Sequence, residues 1–164
     1  MTEVRVGVLT CSNTRAQGLA QDTAGLALVE FCEQRGWNVV AYHVCPTEIE
    51  CLSASLIEMT DVDSAQIVLT CGGIGLDTMD VVPEATELIC ERLVPGIVEH
   101  IRARCMEQDT KAMFSRGVAG LREGSLIVNL DAGADAAGYT LGLLAEDLES
   151  AVAVTSGLQI DAGE

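Results

Sequence analysis

The sequence has few aromatic residues and few cations, and each shortage excludes something. Aromatics are 3% of 164 residues, so a core must be built from Val, Leu, Ile and Ala. The apolar fraction of 49% is enough for one, which excludes the disordered class. Nine Lys and Arg stand against 25 Asp and Glu, a net charge of −16. The clustered cations that neutralise nucleic-acid phosphates are missing, so nucleic acid is not expected as a partner. An anionic ligand would have to be held by backbone N–H groups, a bound cation or a few placed arginines. No apolar run approaches the roughly 20 residues that span a bilayer, and no membrane partner is expected. No basic segment precedes the apolar residues 4–9, so a signal peptide is not expected. No C-x-x-C pair occurs among the seven cysteines, and His43 and His100 are isolated from each other, so no zinc motif is read. Reduced, buried thiols in a cytoplasmic protein are the reading, with slow native titration of all seven.

What is present is alternation. Residues 4–10, 38–44 and 66–70 read as strands, with helices expected over 22–35 and 48–59. Gly36 is placed to end the first helix and Thr47 to cap the second. Residues 11–25 read as a loop into the first helix. Pro83 suits a first helical turn, with Glu84 near the positive end of the dipole. A further helix is expected over 95–107. Residues 118–122 and 125–130 form a hairpin across Glu123-Gly124, and a closing helix covers 137–150. The tail after Gly157 is expected to fray. Strands alternating with helices of this length specify one α/β domain over residues 1–164. It is a three-layer α/β/α sandwich with a mostly parallel mixed sheet and one antiparallel strand. Ligands in such folds sit at the carboxyl ends of the strands, here residues 11–20, 45–48, 71–82 and 130–136.

The stretch LTCGGIGLDTMDVVPEAT, residues 69–86, carries the most information. A strand stops on Gly72, Gly73 and Gly75, and carboxylates precede a helix begun by proline. Glycines admit phosphate oxygens to backbone N–H groups, although a tight turn alone also explains G-G-x-G. The longer string, T-C-G-G-I-G with Asp80 and V-P-E-A-T, resembles the T-G-G-T-G…R-D-V-T-P-E-A-T signature of the molybdopterin-binding family. SRGVAGLREGSLIVNL, residues 115–130, is similar to that family's S-R-x-V-A-G…L-I-x-N-L segment, and residues 10–25 are similar to its first loop. The glycine motif also occurs in a competence-damage-protein domain, but residues 115–130 favour the stand-alone, molybdopterin adenylyltransferase-like type.

The resemblance implies molybdopterin as ligand and, in catalytic members, its adenylylation with Mg-ATP in molybdenum cofactor biosynthesis. It implies a homo-oligomer, trimer or hexamer. By this resemblance Asp80 and Glu48 are the expected catalytic residues, with Asp80 the magnesium ligand. Ser12, Thr70, Gly72, Gly73, Gly75, Glu84, Ser115 and Arg116 are the expected pterin and nucleotide contacts. Gly73→Val is expected to abolish binding with the fold largely intact.

Several positions depart from the family pattern. Asn13 and Thr47 stand where it has Asp, Met79 where it has Arg, Ile74 and Val82 where it has Thr. The family's N-L-P-G-x-P-K-x is NLDAGADA, residues 129–136, so its lysine is Asp135. These changes keep a second reading open: a binding or assembly protein on the same fold, with little or no catalysis. A generic nucleotide-binding domain is a weaker third, because G-x-G-x-x-G is missing after strand one. Asp22 reads as a site acid or as a helix cap, Asp77 as a metal ligand or a solvated acid, and Lys111, the sole lysine, as a surface residue. Trp37 reads as core or interface packing.

Overall fold

The computed structural model describes residues 3–157; the expected fraying after Gly157 falls outside the described residues. Six strands form one sheet: β1 (Arg5–Cys11), β2 (Asn38–Cys45), β3 (Ile67–Cys71), β4 (Arg92–Leu93), β5 (Ala119–Arg122) and β6 (Ser125–Leu130), in the order β2-β1-β3-β6-β5-β4. β1 pairs in parallel with β2 and β3, and β3 with β6. β5 lies antiparallel to both β6 and β4, so it is the one reversed strand, as the hairpin implies. Its turn at Glu123-Gly124 has φ of 45° and 88°, the paired positive values of a tight hairpin.

Period-two alternation sorts the side chains into two cores. Val6 and Val8 of β1 point to one face with Ile67, Leu69 and Val128, where α2 (Thr23–Gln34), α5 (Pro95–Met106) and α6 (Ala134–Thr155) cover them. Leu9, Val68 and Ile127 point the other way, under α3 (Ile49–Ile57) and α4 (Val82–Ile89). With both faces covered, the central strands are near-continuous apolar runs. Trp37 is 5% exposed; its indole N–H donates to Glu149 at 2.9 Å while Arg35 stacks over the ring at 5.8 Å, tying the end of α2 to α6.

The differences from the sequence expectation are local. The loop after β1 contains a short α1 (Asn13–Ala16), capped by Ser12, whose Oγ accepts from the Arg15 N–H. The second long helix ends at Ile57 and continues as a π-helical turn, Glu58–Val62. β4 has two residues, too few to alternate, and a 3-10 turn spans Thr110–Phe114; neither element was read from the sequence. α6 begins at Ala134, earlier than expected, and carries Asp135 in its first turn, a carboxylate at the positive end of the dipole.

The thiol expectation is corrected in part. All seven cysteines are free, but only Cys11, Cys32 and Cys71 are buried; Cys45, Cys51, Cys90 and Cys105 are partly exposed. Burial pushes Cys11 well above the ordinary thiol value, Cys32 up to about 12 and Cys71 up to about 11. Native reaction with a disulfide reagent at pH 8 should therefore stop after at most four thiols, with the remaining three appearing on unfolding. Seven fast thiols would contradict these burials.

Candidate functional site

The carboxyl ends of β1, β3 and β6 and the amino end of the reversed β5 share one edge, so four loops meet there. The glycine loop is bent by Gly72 and Gly73, with φ of 93° and 70°. Bonds from the surrounding loops fix it. The Gly72 N–H donates to the Leu130 carbonyl at 3.1 Å, and the Val82 N–H to the Gly73 carbonyl at 3.2 Å. No hydrogen bond among the described residues engages the amides of Gly73, Ile74 or Gly75. Three successive N–H groups beside the cavity therefore have no partner among the described residues, and runs of such groups are able to hold anions.

Beside this loop opens a cavity of about 460 Å³. Its wall includes Gly73, Ile74, Gly75, Asp80, Ser115 and Asp131. Arg102, Lys111, Phe114 and Tyr139 face them from α5, the 3-10 turn and α6. Five of the expected site residues are thus brought together: Gly73, Gly75, Asp80 and Ser115 line the cavity, and Gly72 sets the bend. Lys111, read as a surface residue, is exposed as expected and stands at the cavity wall. Its N–H donates to the Asp109 carboxylate at 3.0 Å, so the capped turn fixes its backbone.

Asp80 is not the cap of α4, which begins after Val81 without a side-chain cap bond. Its Oδ2 accepts the Asp77 N–H at 3.1 Å, and Asp77 in turn accepts the Met79 N–H at 2.8 Å. These bonds hold the carboxylate over Gly75, where an added Cβ would lie 2.8 Å from Asp80 Oδ2.

The other expected contacts go elsewhere. Thr70 is corrected: it is fully buried, and its Oγ accepts from Asn129 at 2.9 Å, so it cannot touch a ligand in the cavity. Ser12 caps α1 outside the cavity wall. Glu48 is exposed at the start of α3, accepting the Cys51 thiol at 3.4 Å, and does not share the cavity with Asp80. Its neighbour Thr47 abuts the glycine loop and is tied to the first loop through Asn13 Oδ1, which accepts the Thr47 N–H at 2.9 Å. Asp22 is a cap: it accepts from Gly25 at 3.0 Å and Thr10 at 2.7 Å, and also from the Tyr42 hydroxyl. Burial first, then this bond to Asp22, pushes the Tyr42 phenol well up.

Arg116 and Glu84 turn to each other. The Arg116 guanidinium meets Glu84 at 2.6 Å, donates from Nε to the Gly75 carbonyl at 2.8 Å, and also reaches the Asp80 carbonyl. The guanidinium is a strap across the back of the loop rather than a ligand of the cavity. The bond to Arg116 holds the Glu84 carboxyl below its usual range. A lowered folded value means this contribution is present above the unfolded value and lost as pH falls through the folded one. Measured against the intrinsic rate, exchange of the hydrogen-bonded Asp77, Met79 and Asp80 amides should therefore quicken below about pH 4, and should already be quick at pH 7 in Glu84→Gln. Unchanged exchange in that variant would show that the strap holds nothing.

Sequence reasoning missed Asn129. It is 2% exposed; Nδ2 donates to Thr70 at 2.9 Å and to Thr86 at 3.0 Å, while Oδ1 accepts the Val118 N–H at 3.1 Å. It locks β6, β3, α4 and the start of β5 directly under the cavity. An asparagine inside an apolar strand was the available signal, since a buried amide must find partners. Arg102, whose guanidinium donates to the Ser115 and Gly117 carbonyls at 3.2 and 3.3 Å, offered no such signal.

The fold and site together are a three-layer α/β/α sandwich with a glycine loop and an acid beside a cavity at the carboxyl ends of the strands. The chain belongs to the family described as "Probable molybdopterin binding domain", which matches residues 7–149. It is 34% identical to a molybdopterin adenylyltransferase of Helicobacter pylori over 132 residues, 79% of this chain and 75% of that protein. Over the same length it is 31% identical to the Escherichia coli protein of that name, covering 79% and 68%. Among solved structures, the molybdopterin biosynthesis enzyme MoaB of Thermus thermophilus superposes with a TM-score of 0.88 at 35% identity, covering 94% of this chain and 97% of that one. The Mog protein of Mycobacterium ulcerans gives 0.87 at 25% identity, covering 93% and 99%.

Proposed function

We propose that this chain acts in molybdenum cofactor biosynthesis, binding molybdopterin in the cavity and transferring to it the adenylyl group of ATP. The observation that carries this is the meeting, in one 460 Å³ cavity, of the glycine-loop amides with Asp80, Ser115, Lys111 and Arg102. In the transfer a terminal phosphate oxygen of the pterin attacks the α-phosphorus, and the bond to pyrophosphate breaks. The loop amides and Lys111 hold phosphate oxygens, and Phe114 and Tyr139 offer flat apolar faces to a ring. Asp80 fits a magnesium ion of the usual kind, which takes one or two protein carboxylates and keeps waters and substrate phosphates as its other ligands. That ion would supply neutralisation of charge as the phosphoryl bond exchanges. Glu48 is a candidate second acid only if the loop around Thr47 closes toward Asp80.

Asp131 on the cavity wall and Asp135 beyond it favour the second reading, binding or assembly without transfer, because both repel a polyanion. Incubation with molybdopterin, ATP and Mg²⁺ decides: pyrophosphate together with adenylylated pterin supports the enzyme. Calorimetric binding of molybdopterin without product supports the second reading.

We place the protein in the cytoplasm; no helix among the described residues is long and apolar enough to cross a membrane. Self-association, as trimer or hexamer, is supported by exposed Leu88 at 69%, Leu76 at 66% and Met113 at 51%. Light scattering should give a mass at least three times that of the chain. A monomer at working concentration ends that reading.

A further inference from the structure

We propose that His43, Glu58 and Asp63 form a site for a divalent transition-metal ion of the zinc class, separate from the cavity. The three side chains come from two elements and offer ligand atoms that all lie within 4.8 Å of one another. None of the three lines the cavity. The sequence spacing of the histidines gives no zinc motif; the fold assembles one from distant residues.

Each member is positioned for a reason. His43 stands on the edge strand β2 in register with Leu9, and its neighbours at two residues' distance, Ala41 and Cys45, pack into the α3 layer. Its imidazole therefore leaves the sheet on the face where the π-helical turn lies. Glu58 opens that turn, and Asp63 closes it by donating its N–H to the Glu58 carbonyl at 3.0 Å. In an α-helix, residues five apart are about 140° apart around the axis. The wider turn, with its i to i+5 bonding, brings both carboxylates to one side, facing His43.

The donor set selects the ion. One imidazole and two carboxylates suit zinc, cobalt or manganese, whereas magnesium and calcium take oxygen ligands alone. Bound tetrahedrally at about 2.0–2.2 Å from each atom, such an ion holds its ligands about 3.4 Å apart, so atoms now within 4.8 Å of one another must close by up to about 1.4 Å. Glu58 is exposed and free to swing inward. The five ion pairs among the described residues all use arginine, so neither carboxylate already holds the imidazole. Two carboxylates gathered on a chain of net charge −16 repel each other until a cation enters. The bound ion would clasp the edge strand to the turn after α3.

The test uses the whole protein, stripped with a chelator and kept reduced. Calorimetry with Zn²⁺ should find about one ion per chain, and saturating ion should raise Tm by roughly 4 °C or more. His43→Gln and Glu58→Gln should each weaken binding by about tenfold or more, while His100→Gln should leave it unchanged. Co²⁺ should bind without intense thiolate charge-transfer bands, separating this site from the cysteines. Parent-like binding in Glu58→Gln, or thiolate bands with Co²⁺, overturns the proposal. If His43→Gln fails to fold, Glu58→Gln decides it alone, since that exposed carboxylate has no part in the core.

Discussion

Asp80→Asn should leave molybdopterin binding close to the parent's while adenylyl transfer falls by roughly two to three orders of magnitude. That size is what removing one placed electrostatic group from a transition state typically costs. The variant is nearly isosteric and keeps an oxygen for the Asp77 N–H, now 3.1 Å from Oδ2. Arg116 reaches the Asp80 backbone carbonyl, which the change does not touch. The loop should therefore keep its shape, and Tm should move by no more than about 2 °C. Only the charge that a hard cation needs is gone. Pyrophosphate release measured beside calorimetric titration separates the outcomes. Equal loss of binding and transfer would make Asp80 a binding residue, and unchanged transfer would remove it from the chemistry.

The two-residue β4 carries no local signal, whereas the other five of the six strands, the reversed one among them, and the two helical layers were legible because each rests on local signals. These were β-branched runs, a two-residue turn, Asp22 and Pro83 at helix starts, and apolar faces of period 3.6. The cavity was legible only from one side. Its glycine loop and Asp80 lie in one contiguous motif, but Lys111, Arg102 and Tyr139 come from elements whose approach is a tertiary fact. Nothing about Lys111 in its own segment shows that this exposed lysine stands beside a cavity. Thr70 and Glu84 mark the opposite error. They belong to the recognisable motif, yet one holds Asn129 and the other holds Arg116, so the motif mixes ligand contacts with the scaffold that shapes them. The same mixture bears on Asp135, where a cation of the family pattern is missing. Lys111 lies on the wall of the same cavity and brings a cation to it from another direction.

The glycines separate scaffold from ligand contact most sharply. Gly73→Val should disrupt the loop itself, contrary to the expectation of an intact fold with binding lost. Its φ is 70°, which a β-branched residue strongly resists, and a Cβ there would come 2.4 Å from Val82 Cγ2 at the start of α4. Left-handed strain and overpacking together cost on the order of 2–5 kcal/mol, a large part of the roughly 5–15 kcal/mol that holds a domain folded. At about 2–4 °C per kcal/mol, Tm should drop by roughly 5–20 °C. Loss of binding in that variant would then say nothing about phosphate. Gly75→Ala is the sharper instrument. Gly75 does not need a positive φ, and its Cβ would meet only the Asp80 carboxylate, at 2.8 Å, whose end can swing away. The methyl should displace Asp80 from its place over the loop while the backbone stays. Transfer should fall by about tenfold or more, with Tm within about 3 °C of the parent and molybdopterin still bound. If Gly75→Ala transfers as fast as the parent, the position of the Asp80 carboxylate over Gly75 is not the reactive one. If instead it melts as early as Gly73→Val, all three glycines serve the bend and the cavity draws its specificity from Ser115, Lys111 and Tyr139.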